Sequence, residues 1–146
     1  MKTILITITL ALTSLFINAQ DDPGTDTVAM EGISITVNVP VSGDKGNVIF
    51  GLFTEENFMT GAPVQGLESE IVDGKASVTF TNVTPGTYAV TLLHDTNGNK
   101  RMDYDANGMP LEMYGVSNNI MSMGPPLWSD AKFEVENEPL TLDIIM

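Results

Sequence analysis

Apolar and polar residues alternate with a period of two along much of this chain. Ile33, Ile35, Val37 and Val39 are interleaved with Ser34, Thr36 and Asn38, the pattern of a half-buried strand. After a turn cluster from Pro40 to Gly46, Asn47 to Phe53 carries apolar residues on both faces, as a more central strand does. Thr54 to Gly66, with Gly61, Ala62 and Pro63, reads as a long connection. Glu70 to Val72 and Lys75 to Phe80 flank Asp73-Gly74, a strong hairpin signal, and predict the third and fourth strands. Pro85-Gly86 fits the central pair of a type II turn. It leads into a fifth strand, Thr87 to Leu93, with Tyr88, Val90 and Leu92 on one face, which delivers His94 and Asp95 to a sheet end. Ala131 to Glu136 and Leu140 to Ile145 predict two last strands about an Asn137 to Pro139 turn.

No long stretch has helical period. The expected fold is all-β, a seven-stranded antiparallel β-sandwich of immunoglobulin-like or transthyretin-like type. The connection between strands five and six, about 35 residues, exceeds the usual loop length and is expected to be functional or ordered by an ion.

The ends and the composition narrow the setting. Residues 1–19 combine Lys2, an apolar run from Ile4 to Ile17 and a small Ala19 before Gln20, the layout of a cleaved secretory signal peptide. The run is short for a membrane span, so none is expected after cleavage. Residues 20–31 read as a flexible acidic linker and residues 32–146 as one domain. A periplasmic or extracellular location follows. No Cys stands anywhere in the chain, so neither a lipid anchor nor a disulfide is available, and apolar burial, to which a bound ion can add, must hold the domain together. The formal charge of -13 disfavours nucleic acid as a partner and suits a solvated surface that attracts cations. A monomer is expected; an envelope protein or a glycan is the kind of partner left open.

The chemistry concentrates in His94 to Asn119, HDTNGNKRMDYDANGMPLEMYGVSNN. Asp95, Asn97, Asn99 and Asp103 fall at the first, third, fifth and ninth positions of a tight loop that offers side-chain oxygens to a hard cation. Oxygen ligands without His or Cys select calcium. Remaining ligands can come from the backbone carbonyl of Arg101, from Asp105 or from Glu112. The flanking residues are strand-like, so this is a calcium-type loop on a β scaffold and not a helix-loop-helix. Turn chemistry alone, in which Asp and Asn bond their own backbone, is the competing explanation.

Other candidates are weaker. His94 is the only histidine and has no partner identifiable as a nucleophile or second acid, so no catalytic residue is assigned and a non-enzymatic protein is expected. Tyr104, Tyr114 and Trp128, with Met109, Met113, Met121 and Met123, make the long loop apolar as well as acidic. They suit either a ligand-binding face or, in the preferred reading, a small core of the loop's own.

The run VTFTNVTPGTYAVTLLHDTNGNKRMDYDANGMPLEMYGVSNN, followed by GPPLWSDAKFEV, resembles the DUF2141 family of exported bacterial proteins. The family pattern falls on His94, Asp95, Asn97, Asn99 and Asp103, then on Gly108, Pro110, Glu112, Tyr114, Gly115, Ser117 and Asn118. The chain departs from it at Lys100 and Met113, where Gly is usual, and at Val116, where Phe is. The resemblance implies an exported β-sandwich and no assigned reaction. A looser likeness of the Phe80 to Val90 segment to carboxypeptidase-regulatory and surface-protein B-type modules points the same way, to a non-catalytic role.

Overall fold

A computed structural model describes residues 32–146. The signal peptide expected over residues 1–19 and the acidic linker expected over residues 20–31 lie outside the described residues. The described residues form eight strands: β1 (Ile33–Pro40), β2 (Asn47–Phe53), β3 (Gln65–Glu70), β4 (Lys75–Val83), β5 (Gly86–Asp95), β6 (Tyr114–Val116), β7 (Phe133–Val135) and β8 (Leu140–Asp143). A single 3-10 turn, Ser117–Asn119, and a one-turn helix, α1 (Trp128–Ala131), are the only helical pieces among the described residues.

The strands form two open sheets, one ordered β4-β1-β8 and the other β3-β2-β5-β6, with β7 also pairing with β5. Strict alternation in β1 sends Ile33, Ile35, Val37 and Val39 to one side, and Ala76, Val78 and Phe80 of β4 join them. Val48, Phe50 and Leu52 of β2 and Val90 and Leu92 of β5 meet these residues in one buried cluster, which Ile144 also enters. Burying the facing sides of two sheets in a shared core is the main stabilising term available to a chain without disulfides.

Four strand-level expectations are corrected. The third strand is Gln65–Glu70, not Glu70 to Val72, because it is held by its ladder to β2 and shows only Leu67 as an apolar signal. Asp73-Gly74 does turn the chain, both residues having positive φ (52° and 72°), but only the isolated Val72–Lys75 bridge closes it. The strands on either side then enter different sheets, so the turn is a crossing rather than a hairpin. The Asn137 to Pro139 turn behaves likewise: β7 pairs antiparallel with β5, whereas β8 runs parallel to β1, so the ladders are not all antiparallel. Turn residues fix where the chain reverses, not which sheet receives it. Finally, β6 pairs with Thr91–Leu93 and divides the long loop, giving eight strands instead of seven. Three residues are too few to show a period.

A second, smaller cluster covers the other face of the five-stranded sheet, where Phe53, Phe58, Ala89, Val116 and Ala131 pack together under Trp128. The Phe58 and Trp128 rings meet edge to face with centroids 5.6 Å apart.

The 3-10 turn beside this cluster is a latch. Buried Ser117 accepts the Val90 N–H of β5 at 3.0 Å and donates to the Ala131 carbonyl at the end of α1. Asn118 donates through Nδ2 to the carbonyls of Asp130 (2.8 Å) and Lys132 (2.9 Å). Asn119 donates to the Asp143 carbonyl (3.0 Å) and accepts the Ile145 N–H (2.9 Å). Asn118 and Asn119 both take left-handed φ, 66° and 56°, which Asn tolerates better than most residues. Gly115 just before them lies so close to the C-terminal segment that a Cβ there would stand 2.6 Å from the Ile145 carbonyl oxygen.

Ser117→Ala strands the buried Val90 N–H without its acceptor and is expected to cost about 1–3 kcal/mol of stability. Urea denaturation measures this directly, and an unchanged midpoint would mean the latch is ornamental.

Candidate metal centre

Asp95 ends β5, opposite Asn47 of β2, and its side chain is fully buried. Its Oδ1 accepts the N–H groups of Gly98 (2.7 Å) and Asn99 (3.2 Å), and its Oδ2 that of Lys100 (2.8 Å). Burial by itself pushes this carboxyl up. The N–H groups of Lys100, Gly98, Asn99 and Asn97 together outweigh burial and hold it below the usual carboxylate range.

Two Asx turns follow, with Asn97 Oδ1 accepting the Asn99 N–H and Asn99 Oδ1 the Arg101 N–H, each at 3.0 Å. The carboxamide nitrogens of both Asn side chains then converge on Asp103, at 2.5 Å from Asn97 and 2.9 and 3.0 Å from Asn99. Asp95, Asn97, Asn99 and Asp103 are therefore wound into one loop, with Arg101 inside it. Rotating either carboxamide half a turn would bring an oxygen to the place its nitrogen holds.

Lys100 takes the left-handed conformation that a Gly would adopt more cheaply, φ 61°. Its Nζ reaches Glu68 Oε1 of β3 at 2.6 Å in an exposed ion pair, and Glu68 raises the ammonium's pKa. The side chain that departs from the family pattern thus ties the loop to the sheet, a link not visible in the sequence.

Asp105 is placed elsewhere. Its Oδ1 accepts the N–H groups of Asn107 and Met109, both at 2.8 Å, and these, Met109 foremost, hold its carboxyl below the usual range. It caps a turn closed by the Tyr104–Pro110 bridge and by the Leu111 N–H on the Asp103 carbonyl (2.8 Å).

Glu112 returns to the loop's base. It is buried, and its Oε1 accepts both the backbone N–H (2.9 Å) and the hydroxyl (3.1 Å) of Thr96, the residue after Asp95. Its Oε2 is buried without a hydrogen-bond partner. A carboxylate oxygen so placed lacks the donor or cation that buried polar atoms ordinarily have. No three His, Asp or Glu side chains among the described residues are grouped tightly enough to hold an ion by themselves.

His94 supports this end of the sheet. Its buried ring places Nε2 at 2.8 Å from the Lys45 carbonyl, and its backbone N–H donates to Met113. Gly46, at φ 76°, lies so near that a Cβ would stand 2.0 Å from the Asp95 carbonyl oxygen.

The three aromatic residues are not brought together. Tyr104 is exposed on the small turn, Tyr114 is half-buried in β6 opposite Leu93, and Trp128 lies on Phe58 beside Ala89. Ala89 and Asp95 are six residues apart on β5, about 20 Å. The small loop core expected from the methionines is also absent from the described residues. Met109, Leu111, Met113, Ile120, Met121, Met123 and Leu127 all present their side chains to solvent.

A family model described as "Uncharacterized protein conserved in bacteria (DUF2141)" matches residues 35–143, and the chain belongs to that family. No curated protein and no solved structure matches it.

The Asp95 carboxyl titrates lower in the folded chain than its unfolded value of about 3.9. Its contribution is therefore present above that pH and lost as pH falls through the lower folded value. Asp95→Asn is expected to cost about 1–3 kcal/mol at pH 7, from weakened hydrogen bonds to a charged acceptor. Below about pH 4 the gap to wild type should narrow. Urea denaturation at both pH values checks this; a gap independent of pH would contradict it.

Proposed function

We propose that this DUF2141 protein is an exported, non-enzymatic β-sandwich whose residue 94–119 loop is ordered by one calcium ion. Asp95, Asn97, Asn99 and Asp103 supply side-chain oxygens, Arg101 its carbonyl and Glu112 a carboxylate from farther along the loop. The observation that carries this reading is the buried, partnerless Glu112 Oε2 at the base of a loop that winds the oxygen-bearing side chains of Asp95, Asn97, Asn99 and Asp103 into one turn. A bound ion neutralises carboxylates that otherwise repel one another, and it acts as a cross-link in a domain with no disulfide.

Export is supported by the signal-peptide pattern of residues 1–19. The sandwich reading, of immunoglobulin-like or transthyretin-like kind, draws support from two sheets burying their facing sides in one cluster. The non-enzymatic reading draws support from His94, whose Nε2 is engaged by the Lys45 carbonyl. A second reading, a cell-envelope interaction or ligand-binding module needing no metal, is favoured by the exposed apolar residues of the same loop, Tyr104, Met109 and Leu111 among them.

Thermal melts of the mature chain in chelator, in calcium and in magnesium separate the two readings. At a free concentration about a hundred times the Kd, binding adds about 2.7 kcal/mol. The midpoint should then rise by roughly 5–20 °C with calcium and much less with magnesium. Identical midpoints in all three would leave the loop as turn chemistry and move attention to its apolar face.

A further inference from the structure

Glu112 and Asp105 were equal candidates in the sequence, and the structure separates them. Asp105 spends its carboxylate within its own turn. Glu112 is only 7 % exposed, uses one oxygen on Thr96 and keeps the other buried and unpartnered. The residues on either side of it are pinned by backbone, Leu111 to Asp103 and Met113 to His94. Among the described residues, Glu112 is thus the one carboxylate joining the 104–113 turn to the base of the loop. That turn carries an apolar surface: Tyr104, Met109, Leu111 and Met113 are 61 %, 63 %, 64 % and 53 % exposed.

We propose that Glu112 is the clamp through which a hard divalent cation, held by the Asp95–Asp103 loop, fastens the 104–113 turn to the end of the sheet, so that cation occupancy governs how that apolar surface is presented. The proposal rests on the calcium reading above and deepens it. Glu112, held on Thr96 one residue after Asp95, gives a cation in the loop a further carboxylate ligand. Without the ion, the same carboxylate is a buried charge with one oxygen unsatisfied, which loosens the turn it belongs to.

This double role gives Glu112→Gln a signature that a merely structural residue lacks. The carboxamide keeps the shape and the oxygen that accepts from Thr96, and it removes the charge. In chelator the variant should melt at or above the wild-type midpoint. In calcium it should melt below wild type, with calcium affinity by titration calorimetry weakened on the order of 10–100-fold. Asp105→Asn should bind calcium as wild type does. Amide exchange over residues 104–113 should slow on adding calcium to wild type and stay unchanged in Glu112→Gln.

A Glu112→Gln variant less stable in both chelator and calcium, or one binding calcium as tightly as wild type, overturns the clamp while leaving the calcium loop standing. Wild-type protein that takes up no calcium overturns the loop reading and the clamp together. Exchange over residues 104–113 that ignores calcium in a wild-type chain shown to bind it overturns the control of the apolar surface.

Discussion

A carboxylate buried at the end of a central strand must be met by donors, and at Asp95 those donors are backbone N–H groups of the residues that follow it. Much else at this end of the molecule follows from that demand. The chain has to curl back at once, which puts Gly98 and Lys100 in left-handed conformations and brings Asn97, Asn99 and Asp103 around the same turn. The Pro40 to Gly46 connection has to close over the strand end, and only a residue without a Cβ fits at Gly46 against the Asp95 carbonyl. His94 fixes that connection by meeting the Lys45 carbonyl. An unpaired charge in this position would be costly, so hydrogen bonding to the carboxylate and the shape of the loop are one constraint.

The residues that carry the family resemblance divide into two physical jobs. Those from Asp95 to Asp103 build a loop of Asx turns whose carboxamides meet on Asp103, and Glu112 returns to its base. Ser117 and Asn118, joined by Asn119 and closely preceded by Gly115, do something different: they bond β5, the end of α1 and the C-terminal segment. These side chains are explained by holding separate parts of the backbone together, without any ligand. The short β6 between the two groups links them, since it sets Tyr114 to Val116 against β5.

Much of the fold was legible because period-two burial writes itself into β1, β2, β4 and β5, whose inward residues form the core. The Asp95, Asn97, Asn99 and Asp103 spacing likewise marked residues that do share one loop. What was hidden has physical reasons. β3 is held by backbone pairing with little apolar pattern, and β6 is too short to have a period. The parallel placement of β8 on β1 depends on which sheet a crossing chain joins, which no turn residue encodes. Asp105 and Glu112 read alike as acidic residues near a metal loop. Only three-dimensional placement shows that one caps its own turn and the other keeps a buried oxygen free. The methionines suggested a local core because Met fills gaps, yet the turns that carry them have nothing to cover them among the described residues.

The most direct test of the calcium loop is a titration followed by the side-chain amide resonances of Asn97 and Asn99, whose NH₂ groups lie on Asp103. If the loop takes up an ion, those groups must turn their oxygens inward. Their resonances, with the backbone amides of Gly98 and Lys100, should shift and saturate at one calcium per chain. Unmoved carboxamide resonances at saturating calcium would contradict the ion site and leave Asp103 as the hydrogen-bonded centre of an ordinary turn.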